Sequence, residues 1–91
     1  MDAVAPLPQS VGQATLGEVI VEARRLLERA GIETAEQEVL WIMAHVLHLS
    51  THHVVTNRDR LLSSSELLAA RGLVKRRVGR EPLQYILGTQ E

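Results

Sequence analysis

Repeated helix-start signals constrain the fold of this chain more than any other feature of its sequence. Residues 15–18, 34–37 and 63–66 each place a Ser or Thr three positions before a Glu or Gln. In this spacing, called a capping box, each of the two side chains accepts a hydrogen bond from a backbone N–H that the first helical turn leaves unpaired. The three boxes predict three separate helices that begin at these sites.

Apolar residues follow the first and the last box at the spacing of a helix that packs on one face. The first helix is predicted to end at Gly31, and the last carries Gly72 in its interior. An interior glycine costs about 1 kcal/mol relative to alanine, so Gly72 suggests either close approach of a neighbouring helix or neutral drift. The predicted apolar face of the first helix consists of Leu16, Val19, Ile20, Ala23, Leu27 and Ala30. That of the last helix consists of Leu67, Ala70, Val74 and Val78.

The helix predicted after Thr34 is apolar on more than one face. A helix of this kind is buried by neighbours on several sides, so we expect it at the centre of the core. Between it and the last helix, Ser50 or Thr51 is expected to begin a short helix that runs to about Thr56. Asn57 is the expected left-handed residue at the end of that short helix.

The aromatic content of the chain favours packing of helices over packing of sheets. The sequence has no Phe, one Trp and one Tyr in 91 residues, so aliphatic side chains must fill the interior. A chain of this length forms one domain. We therefore predict an all-α fold, a small helical bundle of four to five helices.

Charge and cysteine content exclude several classes of function. The formal net charge is −1, whereas a general nucleic-acid binder is usually clearly basic. The chain has no cysteine, which excludes disulfides, thiolate chemistry and Cys-ligated zinc. No apolar run is long enough to cross a bilayer, and no secretory signal is visible at the N-terminus. We expect a cytoplasmic protein without membrane contact.

Four histidines lie near the end of the second predicted helix, where they suggest a metal cluster. On one unbroken helix three of them would share a face. The predicted break near Ser50 removes that geometry, and no Cys, Asp or Glu lies beside them as a further ligand. We therefore expect no metal site at His45, His48, His52 and His53.

The last fifteen residues differ from ordinary helical sequence because they combine two glycines and a proline. A helix that arrives from upstream should stop by Gly79, since Pro82 biases the residue before it away from helical geometry. Proline also suits the first position of a helix, and Gly88 suits the position just past its end. We predict a corner and then a short helix over residues 82–87. The alternative is a strand with alternate apolar residues on one face.

The same segment carries a resemblance to a known family. Its pattern consists of Arg76-Arg77, Glu81-Pro82, Tyr85-Ile86, Gly88 and Glu91. This pattern resembles the one that joins the two halves of HemK/PrmC-type methyltransferases, which methylate the side-chain amide of a glutamine in peptide chain release factors. In that family a Phe follows the final Glu directly, whereas this sequence ends there.

The resemblance implies a division of labour between this sequence and a catalytic domain outside it. In the family, the S-adenosylmethionine loop and the Asn-Pro-Pro-Tyr motif lie in the downstream domain. The cofactor S-adenosylmethionine is therefore implied only for the full-length parent enzyme, and no catalytic, cofactor-binding or metal-binding residue is expected here. We predict a flexible lead-in over residues 1–14, a helical bundle over 15–79, and a corner with a short helix over 80–91.

The resemblance also implies two partners, a release factor as protein substrate and the catalytic domain of the same chain. The candidate docking surface is the basic end of the last long helix together with the corner after it. Its candidate residues are Arg71, Lys75, Arg77, Arg80, Glu81 and Tyr85.

Other readings of these residues stay open at this point. The cations can form a solvated face, and the chain can be an independent helical adaptor, a nucleic-acid or ribosome-binding module, or a structural buttress of the catalytic domain. Within the chain, Glu81 is expected to cap the short helix or to pair with Arg77 or Arg80. Tyr85 is expected to pack that helix against the bundle.

Overall fold

Five helices make up the part of the chain that the structure describes. The computed structural model describes residues 14–88, in which one isolated bridge between Thr15 and Leu61 is the only β pairing. This architecture confirms the predicted all-α bundle. The helices are α1 (Leu16–Arg29), α2 (Ala35–Leu47), α3 (Thr51–Thr56), α4 (Ser64–Val78) and α5 (Leu83–Leu87).

The predicted boundaries of the three segments stay a prediction. The lead-in over residues 1–14 lies almost wholly outside the described residues, and so do residues 89–91 at the end of the predicted corner segment. Glu91, the last residue of the family pattern, belongs to this undescribed part.

Two of the three capping boxes form as predicted. Thr15 Oγ1 accepts from the backbone N–H of Glu18 at 3.1 Å, and the Glu18 carboxylate accepts from the backbone N–H of Thr15 at 2.9 Å. The Ser63 hydroxyl and the Glu66 carboxylate make the same exchange at 3.1 and 3.0 Å. The starts of α1 and α4 are therefore fixed by their local sequence.

The predicted second box is wrong, although α2 begins where expected. Thr34 makes no capping hydrogen bond to the backbone of α2. Its hydroxyl instead donates to the carboxylate of Glu38 at 2.7 Å. The physical reason is that Thr34, with φ −95° and ψ 33°, lacks the extended backbone of a capping residue, and its hydroxyl donates to the ionised carboxylate of Glu38.

Helices α1 and α4 lie side by side and run in the same direction. The backbone N–H groups of Leu16 and Gly17 donate to the carbonyls of Arg60 and Arg58 at 2.8 and 2.9 Å, so the start of α1 is tied to the segment that precedes α4. A Cβ on Gly17 would lie 3.3 Å from Arg58 atoms, and this close approach therefore favours glycine. By contrast, nothing lies within 4 Å of a Cβ added at Gly72, so the suggested close approach there is wrong.

Helix α2 is the central element, as predicted from its apolar residues on more than one face. It contacts α1, α3, α4 and α5. Val39, Ile42 and Met43 are completely buried. The end of α4 lies beside the start of α2, because Arg77 contacts Glu38, so α2 runs antiparallel to α4. The core around it also contains Leu16, Val19, Ile20, Ala23, Leu27, Ile32, Ala35, Leu47, Val54, Leu62, Leu67, Ala70 and Val74.

The ends of these helices follow the predictions with one exception. Helix α1 ends just before Gly31, whose φ is +85°, as predicted. Helix α3 ends at Asn57, but the predicted left-handed conformation is wrong, because its φ is −120°. The left-handed residue of this region is His48, with φ 58° at the end of α2. This turn separates α2 from α3, so the predicted break near Ser50 is confirmed.

The corner and short helix after α4 are confirmed, and the alternative strand is wrong. Helix α4 ends at Val78 with Gly79 as its cap, and Gly88 is left-handed with φ 64° after α5. Pro82 is predicted as the first residue of this helix, but it is the N-cap, and α5 begins one residue later at Leu83. Ile86 is the buried anchor of α5, whereas Tyr85 is 66% exposed and does not fill the predicted packing role.

The capping geometry of α4 gives a first test. Ser63→Ala is expected to lower the free energy of unfolding by about 1 kcal/mol, because the N–H of Glu66 loses its acceptor at the helix start. Urea denaturation followed by circular dichroism measures this change. Ser64→Ala is the matched control, since alanine favours the helix interior and should leave stability equal or slightly higher. Equal losses in both variants would contradict the assigned cap.

Candidate functional site

A buried ion pair links the end of α4 to the start of α2. Arg77 Nε donates to one carboxylate oxygen of Glu38 at 2.7 Å, and its Nη2 donates to the other at 3.4 Å. The two side chains are only 18% and 9% exposed. Arg77 Nη1 also donates to the backbone carbonyl of Glu81 at 3.1 Å. One guanidinium therefore joins α2, α4 and the corner before α5.

The charge of Glu38 is stabilised by its partners. Burial by itself raises the pKa of Glu38, but the hydrogen bonds from Arg77 and Thr34 and the charge of Arg77 outweigh it, and the net pKa lies below the ordinary value of 4.5. A buried carboxylate is tolerated when its oxygens are fully paired in this way. Glu38 therefore stays ionised at neutral pH.

Two further arginines stabilise the same corner from outside. Arg76 forms a two-pronged hydrogen-bonded pair with Glu81, and its Nε lies 2.9 Å from Glu81 Oε1. This hydrogen bonding lowers the pKa of Glu81. Arg80 is left-handed with φ 73°, and its Nη2 donates to the carbonyl of Ala30 at 2.6 Å. Arg77 and Arg80 are the predicted partners of Glu81, and this prediction is wrong for the carboxylate. The corner turns the carboxylate back along α4, where it pairs with Arg76.

The structure divides the six candidate docking residues into two groups. Arg77, Arg80 and Glu81 take part in the hydrogen bonds of the corner, so we call these three the corner group. The other three are exposed and form the surface group, which consists of Arg71, Lys75 and Tyr85. Within the surface group, Arg71 forms a 3.4 Å ion pair with Glu22 of α1, whereas Lys75 has no ion-pair partner among residues 14–88. Most cations at the basic end of α4 and in the corner are therefore paired within the chain.

Sequence reasoning missed Glu38 as a participant in this site. A signal was present, because Glu38 lies at helical spacing from Ala35 and Ile42 and hence on the buried face of α2. An acidic residue on an apolar face predicts a buried partner. The identity of that partner, 39 positions further along the chain, is visible only in the fold.

Metal-binding clusters and membrane-spanning helices are both absent from residues 14–88. Residues 14–88 contain no group of three or more His, Cys, Asp or Glu side chains that could bind a metal ion together. Within the same residues, no helix has both the length and the apolar character needed to cross a membrane.

Comparison with protein families identifies the bundle. The family model described as the PrmC N-terminal domain matches residues 18–88, which include nearly all of α1 and the whole of α2 to α5. This chain belongs to the PrmC N-terminal domain family. The corner, the buried ion pair and the surface group all lie inside the matched region of this PrmC N-terminal domain.

Curated relatives of this PrmC N-terminal domain are longer proteins. A release factor glutamine methyltransferase of Geobacter sulfurreducens is 46% identical over 77 residues, which cover 85% of this chain and 27% of the relative. One from Nitratidesulfovibrio vulgaris is 32% identical, covering 92% and 28%. The human MTRF1L release factor glutamine methyltransferase is 33% identical, covering 91% and 25%. The chain thus spans about a quarter of the length of these relatives. No solved structure matches it.

Removal of the buried cation tests the role of the ion pair. Arg77→Leu is expected to lower the free energy of unfolding by about 3 kcal/mol at pH 7, because Glu38 then remains buried without its partner. In the wild-type chain the pKa of Glu38 is depressed, so its contribution is present above the unfolded pKa and is lost as pH falls through the folded pKa. In the variant, burial without a partner raises the pKa of Glu38. Protonation of Glu38 at low pH should therefore stabilise the folded variant relative to the unfolded chain.

The stability difference between wild type and Arg77→Leu should therefore shrink between pH 7 and pH 3.5, as measured by denaturant titrations at each pH. Arg76→Leu is the matched control on the neighbouring residue, and its exposed pair with Glu81 should make its effect much smaller. A stability difference that is independent of pH would contradict the assignment to Glu38.

Proposed function

We propose that this chain is the substrate-recognition domain of a protein-(glutamine-N5) methyltransferase. In this proposal it docks a peptide chain release factor and so presents the glutamine of the Gly-Gly-Gln loop to a catalytic domain that uses S-adenosylmethionine. The observation that carries the proposal is the family match over residues 18–88, together with relatives named release factor glutamine methyltransferase. The place of action is the cytoplasm, where translation terminates.

A separate docking domain is physically reasonable for this reaction. A methyl-acceptor site by itself contacts one small side chain, whereas a remote surface adds orientation and specificity. The bundle supplies the rigidity that such a surface needs, because the corner group fixes α5 against α2 and α4.

We propose that the surface group meets the release factor, while the corner group fixes the geometry. Among residues 14–88, no carboxylate pairs with the ammonium of Lys75. The ring of Tyr85 is exposed, and an exposed aromatic ring suits a protein interface. Binding of nucleic acid is less well supported, because Arg71, Arg76 and Arg77 already pair with carboxylates of the same chain. A phosphate backbone would have to compete with these internal partners.

The test is an NMR titration of the ¹⁵N-labelled chain with a purified release factor that carries the Gly-Gly-Gln loop. The expected result is a set of chemical-shift changes concentrated between Arg71 and Tyr85, because this stretch contains the proposed surface group. The absence of any change would favour a structural buttress of the catalytic domain and contradict docking. A response to single-stranded RNA with steep salt dependence, and none to the release factor, would favour a nucleic-acid module.

S-adenosylmethionine added to the isolated chain is the control in this titration. No shift change is expected, since the proposal assigns cofactor binding to the catalytic domain. Binding of the cofactor by the bundle alone would overturn the proposed division between recognition and catalysis.

A further inference from the structure

An apolar groove runs between the parallel helices α1 and α4. It has a volume of about 300 Å³. Its walls include Leu26, which is 40% exposed, and Val78, which is 37% exposed. The buried side chains Val19, Ala23 and Val74 lie beneath them. Partly exposed aliphatic side chains above a buried apolar floor are typical of a surface that binds another apolar segment.

The borders of this groove carry positive charge. At one end Glu22 and Arg71 lie on its rim and neutralise one another through their 3.4 Å ion pair. Lys75 lies further along the rim on α4 and has no ion-pair partner among residues 14–88. On the outer side of Leu26, α1 exposes Arg25 and Arg29, for which the described residues also supply no carboxylate within ion-pair distance. The adjoining surface of α1 also contains Arg58 and the carboxylates of Glu18 and Asp59, so the groove and this surface together have five cations and three carboxylates. The excess of two positive charges fits an acidic partner.

The length of the groove matches about two turns of a helix, whose apolar side chains would enter it. Its wall on α4 extends from Ala70 to Val78, which corresponds to about 12 Å, or two helical turns. The facing wall on α1 extends from Val19 to Leu26, so the two walls have nearly the same length. An amphipathic helix binds such a groove through apolar residues three and four positions apart, with its charged side chains at the rim.

The groove lies apart from α5. Helix α5 packs on α2 and α4, and none of its residues lines the groove. The wall opposite α4 belongs to α1, which is remote along the chain from Gly88. Among residues 14–88, the groove is therefore lined only by α1 and α4.

We propose that the α1–α4 groove binds an acidic amphipathic helix on the surface of the release factor. This inference rests on the proposed function and deepens it, because it extends the docking surface from Arg71 and Lys75 to the facing side of α1 and names a chemical class of partner segment. It therefore adds shift changes around Leu26 to those expected between Arg71 and Tyr85. Apolar residues of that helix contact Leu26, Val74 and Val78. Its carboxylates face Lys75 on one side and the two arginines of α1 on the other.

The experiment measures the Kd of a purified release factor for the chain and its variants by isothermal titration calorimetry. Leu26→Asp places a carboxylate in the groove wall and is expected to weaken binding by about tenfold or more. Lys75→Glu reverses the rim charge and is expected to weaken binding by about three- to tenfold, with a reduced dependence on salt. Both changes are at exposed positions, so circular dichroism should show folded variants.

The controls match each variant in chemistry but lie outside the groove. Val55→Asp alters an apolar side chain in α3 that is 42% exposed, nearly the same exposure as Leu26. His52→Glu introduces a carboxylate, as Lys75→Glu does, at an exposed position of α3 that lines neither the groove nor the adjoining surface of α1. Both controls should bind the release factor within about twofold of the wild-type chain, as expected for residues outside an interface.

The outcomes separate this inference from the proposed function. If the wild-type chain binds the release factor and the groove variants change the Kd no more than the controls do, the groove assignment is wrong and the docking function stands. Absence of binding by the wild-type chain would overturn both. Light scattering on the chain alone covers a third possibility: a dimer that Leu26→Asp dissociates would show that the groove binds a second copy and would overturn the inference.

Discussion

The ion pair between Glu38 and Arg77 is the interaction on which the arrangement of this bundle depends. A carboxylate at a buried position requires a complete set of donors, and the fold supplies them from the end of α4 and from Thr34. This requirement fixes α4 antiparallel to α2. Because the same guanidinium also binds the Glu81 carbonyl, it extends the constraint from the core to the corner before α5.

The distribution of the remaining cations follows from that constraint. The corner uses the arginines at 76, 77 and 80 for contacts within the chain, which leaves Lys75 as the free cation of α4 among the described residues. The parallel alignment of α1 and α4 then places the cations of both helices around one apolar groove. A chain with a net charge near zero can thus have a local surface that favours an acidic partner.

Local sequence predicted those features whose energetics are local. The boxes at Thr15 and Ser63, the stop at Gly31 and the helix between Pro82 and Gly88 depend on groups within a few residues of one another, so the sequence contains their cause. The box at Thr34 has the same local pattern and does not form, because its hydroxyl donates to the Glu38 carboxylate on the buried face of α2, where a distant arginine also binds. Gly17 and Gly72 differ in the same way, since only the fold places a neighbouring backbone beside one of them.

By itself, the sequence determined that this chain is a small all-α bundle with a central apolar helix and a corner near its end, and its closing pattern already resembled the family to which the chain belongs. These properties depend on periodicity, capping and proline geometry, which act over one or two helical turns. The tertiary structure alone decided which arginines are paired and which cation is exposed, and it formed the groove between two helices about fifty residues apart in the chain. The reason is that the partner of a charge, and the neighbour of an apolar face, are set by how the helices pack.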